Sequence, residues 1–204
     1  MLTEERIARL KQVASNRIQD VVVLENIHDP HNAAAAFRNC DAYGIQTVHV
    51  IFEKEKMFNP EKLGKLTSAS ANKWLEIITW ESSADCFTAL KNEGFHIIAT
   101  ALHEKSESFD TYKLPDKKTA WVFGNEGFGI SETAKTMADT LMFLPMYGFV
   151  ESLNLSVTVG IVAHKIATDR KTANKCCFTD SESEALATKW IDRDEKERMR
   201  RHEK

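Results

Sequence analysis

The apolar positions of this chain fall into short runs separated by stretches with helical spacing. Runs rich in β-branched and aromatic residues recur at Asp20–Leu24, Thr47–Phe52, Trp74–Thr79, Phe95–Thr100, Ala120–Phe123 and Thr140–Leu144, and each predicts a strand. Between most of them lie amphipathic helical patterns, including residues 31 to 43, 83 to 93 and 131 to 138. That alternation predicts an α/β fold: a largely parallel sheet covered on both faces, with ligands bound beside the carboxyl ends of the strands. After the sixth run a compact loop, Pro145 to Ser152, leads into a long apolar helix from about Leu153 to Arg170.

The ends read differently. Residues 3 to 14 form a helical pattern, and Glu184–Ile191 predicts a helix docking through Leu186, Trp190 and Ile191 before dense mixed charge, read as a solvated stretch. The expected organisation is an N-terminal helical extension (1–18), a central domain (19–172) and a C-terminal helical tail (173–204). There is no internal repeat and no low-complexity linker.

A chain of 204 residues suits one α/β unit with terminal additions. Its hydrophobic share of 43% and charged share of 28% are those of a soluble globular protein, and no apolar run approaches a membrane span. Acids in Met1–Arg6 stand where a secretory signal needs a basic end and an apolar stretch, so a cytoplasmic location is expected. Cys40, Cys86, Cys176 and Cys177 lack zinc-site spacing and read as reduced, packed thiols. A net charge of −3 excludes a global basic footprint, so nucleic-acid binding would need local clusters. Candidates are Arg6, Arg9, Lys11 and Arg17; Lys54, Lys56, Lys62, Lys65 and Lys73; and Lys165, Arg170, Lys171 and Lys175. Each reads equally well as a solvated face.

Three loops carry candidate chemistry. The first strand runs through Glu-Asn-Ile-His-Asp-Pro-His-Asn (25–32) into an alanine-rich helix holding Arg38 and Asp41. Pro30 marks the helix start and Asn32 is a candidate cap. Arg38 has Asp41, three residues on, as its simplest partner. Asn32 and Arg38 sit about 120° apart on an ideal helix, which leaves open whether they converge. His28 and His31 invite a metal reading, but Pro30 interrupts the turn and no ligand set completes it, so no metal is expected.

The fifth run ends in Phe-Gly-Asn-Glu-Gly-Phe-Gly (123–129). Its glycines allow a tight backbone approach to a flat ligand, and Glu126 is poised at the strand end. The order G-x-x-G-x-G reverses the dinucleotide fingerprint and follows the wrong strand, so an NAD-type oxidoreductase is a distant reading. The third motif is Leu-Pro-Met-Tyr-Gly-Phe-Val-Glu-Ser-Leu-Asn-Leu-Ser (144–156). Its apolar Leu144, Met146 and Leu153 suit an adenine, yet the same residues fit a capped helix after a turn.

Taken in order, Asn32 and Arg38 with Cys-Asp-Ala-Tyr-Gly, then Phe-Gly-Asn-Glu-Gly-Phe-Gly, then the Pro145–Ser156 motif, the chain resembles the SpoU-TrmH group of SPOUT methyltransferases over nearly its whole length. Ser68–Trp74 and Phe95–Ala101 share the likeness. The resemblance implies a C-terminal deep trefoil knot cradling S-adenosylmethionine, and a homodimer with each active site at the subunit interface. It implies ribose 2′-O-methylation of structured RNA, a guanosine in the tRNA D-loop first, with rRNA, another tRNA position or RNA binding without catalysis as alternatives. By position, Thr100, Gly124, Leu144, Met146, Gly148 and Leu153 would hold the cofactor. Arg38 would serve as base or phosphate grip, with Asn32, Glu126, Ser152 and Asn154 orienting it, the cofactor or the partner loop. Two departures bear on the target: Asp29 stands where the group tends to have Lys, and the Asn-Glu-Gly-Phe-Gly turn differs from the usual residues.

Overall fold

Each of the six apolar runs becomes a strand, hydrogen-bonded to its neighbours within one sheet. The computed structural model describes residues 2–60 and 71–202; Lys62, Lys65 and the Ser68-Ala-Ser stretch lie outside the described residues. The chain runs α1 (Glu4–Ala14), β1 (Ile18–Glu25), α2 (Pro30–Ala42), β2 (Ile45–Ile51), β3 (Glu76–Trp80), α3 (Ser83–Asn92), β4 (His96–Thr100), β5 (Glu107–Ser108), β6 (Thr119–Phe123), α4 (Glu132–Met137), β7 (Thr140–Phe143), α5 (Leu155–Ala173) and α6 (Asp180–His202). The strands form one sheet in the order β3-β2-β1-β6-β4-β7-β5, parallel throughout. The two-residue β5, at the edge beside β7, is an addition to the six expected strands.

Alternation along the strands assigns the two faces. Val22, Leu24, Trp121 and Phe123 pack with Phe37 of α2 and Val159, Val162 and Ile166 of α5. Val21, Val23, Ala120 and Val122 pack with Phe87 and Leu90 of α3 and Ala134 of α4. After β7 the chain therefore crosses the carboxyl edge of the sheet, from the face covered by α4 to the face covered by α5. Residues 144–154 make that crossing.

Two buried polar assemblies fix the layers. On β1, Asp20 accepts from Arg170 of α5 (Nε to Oδ2 2.9 Å, Nη2 to Oδ1 2.8 Å) and from the Thr119 N–H at 2.8 Å. Arg170 also donates to the Pro115 and Lys117 carbonyls, so all three guanidinium nitrogens are hydrogen-bonded in a residue only 2% exposed. At the other end of β1, buried Glu25 accepts from Ser83 Oγ (2.7 Å) and from the Ser131 N–H (2.8 Å) and Oγ (2.7 Å). Those serines open α3 and α4, whose amino ends favour the carboxylate.

The terminal helices pack on each other: Leu10 and Ala14 of α1 meet Ala187 and Trp190 of α6 in a third cluster, with Leu186 and Ile191 half-buried beside it. The mixed charge after Ile191, expected as a solvated stretch, continues the helix to His202, tied back by the Arg6–Asp194 pair at 2.8 Å. No helix among the described residues is long and apolar enough to cross a membrane. Burial pushes the thiol pKa values of Cys40 and Cys86 up, as packed, unreactive cysteines require.

Candidate functional site

The carboxyl ends of β4, β6 and β7 open into a cleft of about 680 Å³, within the range of ligand pockets. Thr100 contributes from β4, the Gly124–Ile130 turn from β6, and Leu144, Met146 and Ser152–Asn154 from the crossing segment after β7. Asn32 closes it from the first turn of α2. Apart from Arg38 and Gly148, every residue expected at the site lines this one cleft.

The Gly124 turn is built by close contact rather than by flexibility. A β-carbon on Gly124 would lie 2.2 Å from the Gly129 carbonyl carbon and 2.3 Å from the Ile130 nitrogen. The turn is closed by paired main-chain bonds between Asn125 and Gly129 (3.0 and 2.9 Å). Gly129 adopts φ +72°, a conformation that suits glycine.

A chain of side-chain hydrogen bonds joins three distant segments across the cleft. Asn154 Nδ2 donates to Asn32 Oδ1 at 3.0 Å, and Asn32 Nδ2 donates to Glu126 Oε1 at 2.8 Å. The second Glu126 oxygen accepts the His28 N–H at 3.3 Å. Asn154 is the N-cap of α5, its Oδ1 accepting from the Ser156 N–H at 2.8 Å. The cap of α2 is Asp29, not Asn32: Asp29 accepts the His31 N–H at 2.8 Å and Pro30 takes the first helical position. Asn32 is thereby left free to reach Glu126 and Asn154.

Two asparagines that sequence reasoning passed over form the base of the site. Asn26, buried and left-handed at φ +54°, accepts the Glu53 and Lys54 N–H groups on Oδ1 at 2.9 and 2.7 Å. Its carbonyl accepts Asn125 Nδ2 at 2.7 Å, and Asn125 Oδ1 in turn accepts the Gly127 and Phe128 N–H groups at 2.7 and 3.3 Å. The ends of β1, β2 and β6 are thus bolted together. A hint existed in the sequence, since asparagine tolerates the left-handed region best among non-glycine residues. Beside this hub, the Glu55 carboxylate bonds His28 Nδ1 at 3.0 Å and holds its imidazole pKa above the ordinary value, with Glu126 and Asp29 adding to the pull.

Arg38 points elsewhere. It lines a recess of about 520 Å³ between α2 and α5 with Asn39, Tyr43, Ser156, Gly160 and His164, and it has no hydrogen bond or ion pair among the described residues. The expected partner Asp41 is taken by Arg17, whose buried guanidinium reaches Asp41 Oδ1 at 2.5 Å. The two recesses adjoin at the start of α5, where Asn39 Nδ2 donates to the Ser156 carbonyl at 2.6 Å. Gly148 is exposed in the crossing segment, outside the cleft.

Comparison with known proteins locates these features. The SpoU rRNA Methylase family profile matches residues 19–164. The chain is 37% identical over 163 residues to the tRNA (guanosine(18)-2′-O)-methyltransferase of Thermus thermophilus, covering 78% of this chain and 80% of that protein. The Aquifex aeolicus protein of the same name is 30% identical over 205 residues, covering 98% and 95%. Among solved structures, the A. aeolicus TrmH/SpoU tRNA modifying enzyme superposes with a TM-score of 0.78 at 29% identity, over 94% of this chain and 97% of that one.

Proposed function

Because this chain belongs to the SpoU methylase family, we propose that it transfers the methyl group of S-adenosylmethionine to the 2′-hydroxyl of a guanosine in tRNA, in the D-loop. The observation that carries this reading is the single cleft in which residues from β4, β6, the crossing segment and α2 converge on the Asn154–Asn32–Glu126 chain.

The cleft fits the cofactor on its own terms. Its volume suits a ligand of this size, its crossing wall offers Leu144, Met146 and Leu153 as apolar surface, and Gly124 keeps the floor clear of a side chain. When bound, S-adenosylmethionine supplies an electrophilic methyl group. Thr100, Gly124, Leu144 and Leu153 hold it, largely through main chain, with Met146 in the same wall. Glu126, fixed by Asn32 and the His28 amide, presents a carboxylate of set direction, and Asn154 and Ser152 set the mouth of the cleft on the α5 side.

The ribose hydroxyl must lose its proton as the new C–O bond forms, and Arg38 is assigned to that end of the reaction. An unpaired, exposed guanidinium is suited to grip an RNA phosphate bidentately and set the ribose in line. As a base it needs help from its surroundings, because free arginine stays protonated. Arg38 lies outside the cleft of its own chain, which is the geometry a shared site requires. We infer a homodimer in which Arg38 of one copy serves the cleft of the other. Exposed Val157 and Ile161 beside Arg38, and Tyr147, Phe149 and Val150 in the crossing segment, supply apolar surface for that contact.

The same reading takes residues 19–172 as the catalytic domain, with terminal helices as extensions, and takes the crossing segment and α5 as threaded in a deep trefoil knot. Likeness to the A. aeolicus structure and the insertion of β6 between β1 and β4 support it. A tRNA substrate supports a cytoplasmic location. The test is incubation with labelled S-adenosylmethionine and unmodified tRNA or rRNA, followed by mapping of the methylated nucleotide. Transfer to a D-loop guanosine is expected; absence of transfer to any RNA defeats the reading. Sedimentation should give a dimer, and a stable, active monomer contradicts the shared site.

A further inference from the structure

The two-asparagine hub does more than tie strands together: it fixes two side chains that the mechanism above does not use. Lys54 is held by its N–H on Asn26 Oδ1, and Phe128 by its N–H on Asn125 Oδ1, while Asn125 Nδ2 bonds the Asn26 carbonyl. Both side chains leave this rigid base toward solvent. Phe128 is 52% exposed on the rim of the cleft, and Lys54 Nζ sits over its ring at 5.7 Å from the centroid. The Lys54 ammonium has no hydrogen-bond or ion-pair partner among the described residues.

An exposed phenylalanine gains nothing for folding, and an unpaired lysine beside it adds little stability. Placed together on a preorganised base beside a reactive cleft, they match one kind of ligand. That ligand is a flat ring carrying a neighbouring negative charge. We propose that Phe128 and Lys54 form the platform that receives the target nucleotide, the base stacking on Phe128 and a flanking phosphate meeting Lys54; this rests on the RNA methyltransferase reading. The stacking face tolerates any base and the cation reads only the backbone, so the pair contributes grip and placement rather than base identity. The platform stands on the turn that also carries Glu126, two residues before Phe128, so docking the nucleotide and presenting the carboxylate share one rigid segment.

The test uses the full chain, an unmodified tRNA transcript and S-adenosylmethionine. Phe128→Ala is expected to raise KM for RNA roughly tenfold or more, consistent with the loss of one base stack, while cofactor Kd by calorimetry stays within about twofold of wild type. Phe128→Tyr should restore KM. Lys54→Met should reduce the slope of log affinity against log salt by about one contact, and Lys54→Arg should recover it. Unchanged KM in Phe128→Ala overturns the proposal. So does loss of cofactor affinity in that variant, which would assign the ring to the cofactor instead. A wild-type protein that methylates no RNA overturns the functional reading and this inference with it; methylation with a silent Phe128→Ala overturns the inference alone.

Discussion

The Gly124–Gly129 turn allows three glycine substitutions with three separate physical costs. At Gly124 the cost is steric: a β-carbon would sit 2.2 Å from the Gly129 carbonyl carbon and 2.3 Å from the Ile130 nitrogen, and both are backbone. Ordinary contact begins at 3.4 Å, so the returning strand of the turn must retreat by more than 1 Å. Retreat strains the Asn125–Gly129 hydrogen bonds and shifts Ser131, which anchors Glu25. Overpacking of this kind costs roughly 1–3 kcal/mol, and each weakened bond adds about 1 kcal/mol. At Gly129 the added carbon meets nothing within 4 Å, and the cost is only that of holding alanine at φ +72°, about 1–2 kcal/mol. At Gly127 the nearest atom is Asn125 Oδ1 at 3.3 Å, and the cost should stay under about 1 kcal/mol. Calorimetric titration with S-adenosylmethionine and thermal melts of the three alanine variants give the comparison. Gly124→Ala should lose cofactor affinity by at least tenfold, Gly129→Ala by less, and Gly127→Ala should stay near wild type. Wild-type affinity in Gly124→Ala would show that the turn adapts, and that close approach is not what the glycine is for.

Three further outcomes follow from the same geometry. Arg38→Ala should lower methyl transfer by at least about a hundredfold with cofactor affinity unchanged, and Arg38→Lys should not rescue it, because lysine lacks the planar fork; residual turnover within tenfold of wild type defeats the role. Asp20→Asn leaves the buried Arg170 charge uncompensated and should cost about 3–5 kcal/mol, a fall of roughly 10 °C in melting temperature for a chain of this size; a shift under about 2 °C would refute it. Burial holds the His49 pKa down to about 4, where the neutral ring accepts from Trp80 Nε1 at 3.0 Å. The unfolded chain takes up that proton below about pH 6.5 and the folded one resists it, so this contribution is intact above 6.5, falls as pH drops toward 4, and levels off below. At most about 3 kcal/mol is at stake. Urea melts across that window should show a shallower pH dependence in His49→Gln; parallel curves would remove His49 from the account.

Legibility in the sequence followed the range of each interaction. The central strands announced themselves because both sheet faces are covered there, which makes each an apolar run, and β3, largely exposed at the sheet edge, showed through its β-branched and aromatic residues. The two-residue β5, Glu107–Ser108, carries no such run and exists through its pairing with β7. Asn32 read as the candidate cap of α2, but the cap is Asp29, directly before Pro30, whose fixed φ sets the first helical position. The local rule that offers Asp41 to Arg38 lost to Arg17, which comes from the far side of β1 and is buried by Trp190 stacking over its guanidinium at 5.1 Å. Convergence of Asn154, Asn32 and Glu126 spans 122 and 94 residues, and only the fold brings it about. For the Asn26–Asn125 base, residue type was suggestive, but the role depended on three strand ends meeting.

Arg170 meets Asp20 across 150 residues of chain, and that distance sets an order of events during synthesis. By the time the ribosome has delivered β7, all seven strands exist, yet the wall from Leu144 to Asn154 is missing and Asp20 has no counterion. A chain stopped there carries every strand but only part of the residues that line the cleft. Only when α5 emerges, after every strand of the sheet, does one event neutralise the buried carboxylate, seat the N-cap at Asn154 and complete the pocket. The capacity to bind its cofactor is therefore acquired late, only once α5 has followed all seven strands.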